Sequence, residues 1–311
     1  MNNKIILGIV GIIVVAGIVF VATKDGNNSQ MAKNAGVYCS SGGTFTNTMS
    51  IQSHRSYCVK SDSSGKTYST NTPSEYSFSL IDDQGNTLKN FEITHTKRMH
   101  VIVVRKDLKY FQHIHPEFDQ TTGQFTFKDL TFPADGVYRI FADFAPGGGQ
   151  KDAMGTPLPV TLSEDVPVGI GANYTPEALG SEEKTKTFEG YQVVLSSDQT
   201  LVSGKATMLA FDLKQNGRPI TDLQEYLGAL GHTVVLREGN LDFIHAHPMQ
   251  DINRPQTGEV GFMVDFPEAG RYKIFTQFQR AGKVFTTDFV VTVGQGANSS
   301  NSMPSMNHSM Q

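Results

Sequence analysis

The sequence predicts an all-β protein: two tandem immunoglobulin-like β-sandwich domains following an N-terminal transmembrane helix. Three observations predict it. The chain starts with one long apolar run, continues in short alternating strand patterns separated by turn residues, and repeats those patterns internally. Its 311 residues leave room for two domains of ordinary size, and 38% of them are hydrophobic, enough to build cores. The 30 glycines and 20 phenylalanines favour turns and strands over helices. A net charge of −4 gives no basic field, so no nucleic-acid partner is expected.

Ile5 to Thr23 carries no charge. As a helix it would span about 28 Å, close to the roughly 30 Å hydrocarbon core of a bilayer. Lys4 precedes the run, and Lys24 and Asp25 cancel behind it, which places the N-terminus in the cytoplasm and the rest outside. A cleaved signal peptide is the rival reading; bulky Phe20 close to the end of the run favours an uncleaved anchor over residues 1–23. The expected location is the cytoplasmic membrane, single-pass, with the soluble part on the extracytoplasmic side.

Residues 24–72 read as a tether and a small stapled segment. Outside the cytoplasm Cys39 and Cys58 are expected to form a disulfide. The alternative is a thiol metal site with His54 nearby. Tyr76, Phe78 and Leu80 then alternate with polar residues, and Asp82 to Gly85 is turn chemistry. The first domain is placed at 73–163, a Gly/Pro-rich linker at 164–187 and the second domain at 188–294. One short helical turn is expected within Thr221 to Gly228. Residues 295–311 form a Ser/Asn/Met tail expected to be disordered.

The repeat carries the strongest signal. Met99-His100-Val-Ile-Val-Val-Arg with Phe111-Gln-His113-Ile-His115-Pro returns 132 positions later as Gly231-His232-Thr-Val-Val-Leu-Arg with Phe243-Ile-His245-Ala-His247-Pro. Phe132-Pro133, Gly136 and Tyr138 return 134 positions later as Phe266-Pro267, Gly270 and Tyr272. If each histidine-bearing pair of strands forms a hairpin, Ile102 faces His113 and His100 faces His115. Strand alternation then puts all three histidines on one face, close enough to converge on a metal. His232, His245 and His247 repeat the set. Core-capping histidines bonded to backbone carbonyls are the structural alternative. In the tail, Met303, Met306, His308 and Met310 offer soft thioethers and an imidazole, which suit Cu(I).

The Met/Gly-His…Phe-x-His-x-His-Pro…Phe-Pro-x-x-Gly-x-Tyr pattern resembles the YtkA-like group of bacterial extracytoplasmic Ig-like domains, over about 73–163 and 188–294. The resemblance implies an Ig-like fold and a copper- or heavy-metal-handling setting, with the histidines as the matching positions. The cysteines precede both modules, so neither offers the His₂Cys set of a blue-copper site. The expected function is a membrane-anchored binder that buffers or passes on a metal, copper first and zinc second, with a metal-handling membrane protein as the partner. The alternative is a cell-surface interaction protein of two Ig-like modules. No nucleophile elbow, HExxH or phosphate loop is present, so no enzyme is expected.

Overall fold

The computed structural model describes residues 57–153, 155–249 and 258–296, without the side chains of His245 and His247. It also gives the backbone pieces Val14–Val15, Ile18–Val19 and Val37–Ser40. Apart from those pieces, the expected anchor, the tether and the Met/His tail lie outside the described residues. Among them, no helix is long and apolar enough to cross a membrane.

The chain is all-β. In the first half the strands are β1 (Val37–Ser40), β2 (Tyr57–Ser61), β3 (Ser74–Asp82), β4 (His100–Arg105), β5 (Gln112–Ile114), β6 (Glu117–Asp119), β7 (Gln124–Leu130), β8 (Gly136–Phe144) and β9 (Val160–Val168). They form a five-stranded sheet β1-β2-β3-β7-β6 and a four-stranded sheet β9-β8-β4-β5. The second half repeats this with β10 (Thr185–Phe188), β11 (Tyr191–Ser197), β12 (Ala206–Gln215), β13 (Arg218–Pro219), β14 (His232–Arg237), β15 (Phe243–His245), β16 (His247–Pro248), β17 (Glu259–Asp265), β18 (Gly270–Arg280) and β19 (Lys283–Val293). Here the larger sheet is β10-β11-β12-β17-β16 with β13 on β12, and the smaller is β15-β14-β18-β19.

Each pair of sheets closes on its own aromatic-rich core. One core holds Tyr76, Phe78, Val101, Val103, Phe125 and Phe132; the other holds Phe211, Val235, Phe262, Phe266 and Phe289. The repeated Phe-Pro-x-x-Gly-x-Tyr is a tyrosine corner in both halves. The Tyr138 hydroxyl donates to the Ala134 carbonyl at 3.0 Å and Tyr272 to Glu268 at 2.7 Å. Gly136 (φ +145°) and Gly270 (φ +149°) take a conformation that side chains avoid, and a Cβ at Gly136 would meet Arg105 Cδ at 2.6 Å.

Two expectations change. β9 runs four residues past Glu164 into the segment assigned as linker. Its inward face holds Glu164 among Val160, Leu162, Val166 and Val168, so a charged residue interrupts the apolar alternation. Hydroxyl donors Ser61, Ser63 and Tyr76 satisfy that carboxylate. No helical turn forms within 221–228. Leu227 (φ +56°) and Gly228 (φ +80°) form a tight turn bridging Tyr226 to Ala229, and two left-handed residues stop a right-handed helix.

The two sandwiches join by the outer faces of their smaller sheets. Ile102, Val104 and Phe141 pack against Val234, Leu236, Phe275 and Val290, with Leu179 of the connecting segment closing the cluster. β4 is therefore buried on both faces along its whole length. The contact has the reciprocity of a two-fold axis. Phe111 stacks on Phe275 at 4.2 Å between centroids, and their counterparts Phe243 and Phe141 meet at 5.3 Å. Likewise Lys273 donates to the Leu108 carbonyl, and Arg139 to that of Asn240.

A double-mutant cycle checks this interface. Phe111→Leu and Phe275→Leu should couple by about 1 kcal/mol in unfolding free energy, the usual worth of an aromatic pair. Phe111→Leu and Phe243→Leu, on opposite sides of the pseudo-axis, should add independently.

Candidate metal centre

The interdomain seam positions the histidines. β4 and β5 pair with Ile102 opposite His113 and Val101 opposite Ile114, the register expected from sequence. His100, His113 and His115 accordingly share one face, the outer one, turned towards the second domain. His100 is buried and the other two are half-buried. His100 Nδ1 lies 3.0 Å from His113 Nε2 and 3.1 Å from His115 Nε2. All three residues can offer a ligand nitrogen within 4.8 Å of the others. Nitrogens bound tetrahedrally at ~2.05 Å would stand ~3.3 Å apart, so the two contacts of His100 Nδ1 need open by only a few tenths of an ångström to admit a zinc- or copper-sized ion.

The remaining ring nitrogens determine which tautomers face inward. His100 Nε2 is 3.0 Å from the Thr94 carbonyl, which can only accept, so Nε2–H donates and Nδ1 keeps its lone pair. His113 Nδ1 is 2.8 Å from Gln277 Oε1 of the second domain. The Gln277 amide nitrogen donates to Thr286 Oγ1 at 3.1 Å, which directs its oxygen to His113. With Nδ1–H donating to Gln277, His113 turns an Nε2 lone pair inward, the tautomer a metal ligand needs. Such outer acceptors are the usual support of metal-binding imidazoles.

Burial first, and then the neighbouring His100 and His115, lower the His113 pKa to about 3. Burial and then His100 lower His115 to about 3 as well. Both rings are neutral at pH 7, the state a metal ligand requires. An exposed histidine would let protons compete with a metal near pH 6.5, whereas at His113 and His115 they compete only in stronger acid.

The second domain adds to the same cluster. The His232 ring lies 6.4 Å from that of His100 and 6.3 Å from that of His113. His95, which the repeat does not duplicate, lies 4.9 Å from His232. His95 (φ +47°) and Thr96 (φ +67°) form a left-handed turn matching Leu227-Gly228, an unusual conformation for a Thr. These rings and the buried Asp143 line a small, partly open void of about 20 Å³, enough for one water or ion. On the opposite side an open groove of about 430 Å³ reaches His113 and His115 past Lys128 and Leu130, giving a route from solvent.

His245 pairs with Val234, the register equivalent to His113 with Ile102, whereas His247 pairs with Met263 of the larger sheet. Their side chains, like Met303, Met306, His308 and Met310, lie outside what the structure describes. Thr94, His95 and Gln277 were not marked as site residues by the sequence. His95 stands out as the one domain histidine without a repeat partner, whereas Gln277 had only the signal of replacing Asp143.

Acid stability checks the environment of His113 and His115. Their folded pKa values lie below the unfolded value near 6.5, so the unfolded chain takes up protons first. Metal-free protein should have full stability from these groups above about pH 6.5 and lose it progressively towards pH 3. Melting temperature against pH, compared with His113→Gln, measures it; the variant should show a flatter profile between pH 6.5 and 4.

The comparisons bear on fold and family. No curated protein matches the chain. Solved structures align over most of it at low similarity. A marsupial T cell receptor is 9% identical, with 78% of this chain and 72% of that one covered and a TM-score of 0.21. Invasin, a bacterial integrin-binding protein, is 14% identical, with 79% and 40% covered and a TM-score of 0.23. Domains 4 and 5 of the S-layer protein SbsC are 11% identical, with 78% and 98% covered and a TM-score of 0.19. At these scores they carry no functional argument, and the sandwich rests on the sheets themselves. A family model described as a domain of unknown function (DUF8832) matches residues 53–156 and again 185–295, so the chain belongs to that family and carries two copies of its domain.

Proposed function

We propose that this chain binds a transition-metal ion at the interdomain histidine cluster, copper first and zinc as a competitor, and stores it or passes it on. The observation that carries the reading is the meeting of His100 Nδ1, His113 Nε2 and His115 Nε2, two of them held as inward acceptors by Thr94 and Gln277. Imidazole suits copper and zinc alike. The preference for copper comes from the tail, where Met303, Met306, His308 and Met310 would collect Cu(I). His245 and His247 would add ligands from the second copy.

The same reading places the protein on the membrane through residues 1–23, with the domains on the extracytoplasmic side and a metal-handling membrane protein as recipient or donor. Cys39 and Cys58 would be joined there. The backbone register sets them directly opposite each other, which suits a disulfide. The role in this reading is binding and not catalysis, in keeping with a sequence without nucleophile elbow, HExxH or phosphate loop.

Metal stoichiometry tests it. Protein purified without chelator should hold Zn(II) or Cu(II), and His113→Ala should lose one equivalent. Unchanged stoichiometry with only a lower melting temperature would assign the histidines to structure and favour a two-module interaction protein. Gln277→Leu should leave the ligands in place and weaken affinity about 10- to 100-fold, because His113 loses the acceptor that orients it.

A further inference from the structure

The outer face of the second domain's larger sheet carries an unusual group of side chains. Met208 on β12 is directly opposite Met263 on β17. Gly261, two residues before Met263, shares its face, while Phe262 between them points into the core. Met249, just after β16, donates its backbone N–H to the Gly261 carbonyl at 3.0 Å. Because Gly261 has no side chain, the Met208 sulfur lies 3.7 Å from where a Cβ would stand, over the strip of sheet that Met249 borders. Among the described residues, Met249 and Met263 are two of six large apolar side chains exposed to solvent, at 48% and 37%.

The fold does not require methionine there. In the first domain β6 and β7 pair with Glu117 opposite Thr126, and Lys128 reaches Glu117 at 2.7 Å. Glu117 and Lys128 occupy the register positions of Met249 and Met263. One copy thus uses an ordinary ion pair where the other exposes thioethers. Carboxylates flank the thioethers on the same face, Asp212 on one side and Asp265 on the other. An anionic rim disfavours an acidic partner and attracts a cation. Thioether sulfur prefers soft monovalent ions over zinc or magnesium.

We infer that Met208, Met249 and Met263 form a surface site for a soft monovalent cation, Cu(I) or Ag(I), separate from the histidine cluster. Binding is coordination alone: three sulfur lone pairs replace the ion's solvent ligands and no electron moves. The inference does not rest on the triad of His100, His113 and His115, since it uses a different sheet and different ligands, although His247 lies opposite Met263.

The full chain labelled with ¹³C at the methionine methyl groups tests it, with redox-inert Ag(I) as the probe. The signals of the three residues, assigned by single Met→Leu variants, should shift together on one isotherm, distinct from that of the tail methionines Met303, Met306 and Met310. Joint replacement by Leu, close in size, should remove one equivalent of Ag(I) and leave Zn(II) capacity unchanged. Three signals that stay fixed under excess Ag(I), or that move on separate isotherms, would overturn the site. If the triple variant fails to fold, the wild-type titration decides alone. Loss of Zn(II) binding in His113→Ala fails or succeeds independently of this result.

Discussion

The contact between the outer faces of the two four-stranded sheets is the constraint on which the rest depends. Each sandwich has a core of its own, so neither needs the other to bury its inner face. The seam buries a third apolar cluster, and in doing so takes His100, Asp143 and Gln277 out of water. Desolvation keeps His113 and His115 neutral, and the second domain supplies the acceptor that turns His113 towards His100. Without the seam, Ile102 and Val104 would be exposed on a sheet face and part of the burial that lowers the histidine pKa values would be relieved.

Duplication explains how such a seam arises. Two copies of one surface can meet about a two-fold axis, each residue touching its partner's counterpart, as the Phe111–Phe275 and Phe141–Phe243 contacts do. The copies have since diverged where chemistry allows. Asp143 stands where the second copy has Gln277, His95 where it has Leu227, and Glu117 with Lys128 where it has Met249 and Met263. Turn, core and tyrosine-corner positions stay matched, because the fold depends on them.

Much of this was legible in the sequence. The repeat located both sandwiches, the hairpin pairing put Ile102 opposite His113, and strand alternation put three histidines on one face. The seam was not read, although its trace is there: His100 to Val104 is an unbroken buried run, the pattern of a strand covered on both sides. Thr94 and Gln277 escaped because their role depends on contacts across a loop and between domains, which no local pattern encodes. β9 escaped because a buried Glu164, satisfied by three distant hydroxyls, looks like surface in a linear reading. The helical turn near 221–228 failed because left-handed backbone at Leu227 is invisible to periodicity.

X-ray absorption of the full chain loaded with one equivalent of Zn(II) tests the central claim most directly, because zinc does not favour thioethers. The account requires nitrogen ligands near 2.0 Å with imidazole scattering from about three rings, and loss of one ring's contribution in His113→Ala. A shell of oxygen ligands without imidazole scattering, unchanged in that variant, would contradict it and return the histidines to a purely structural role.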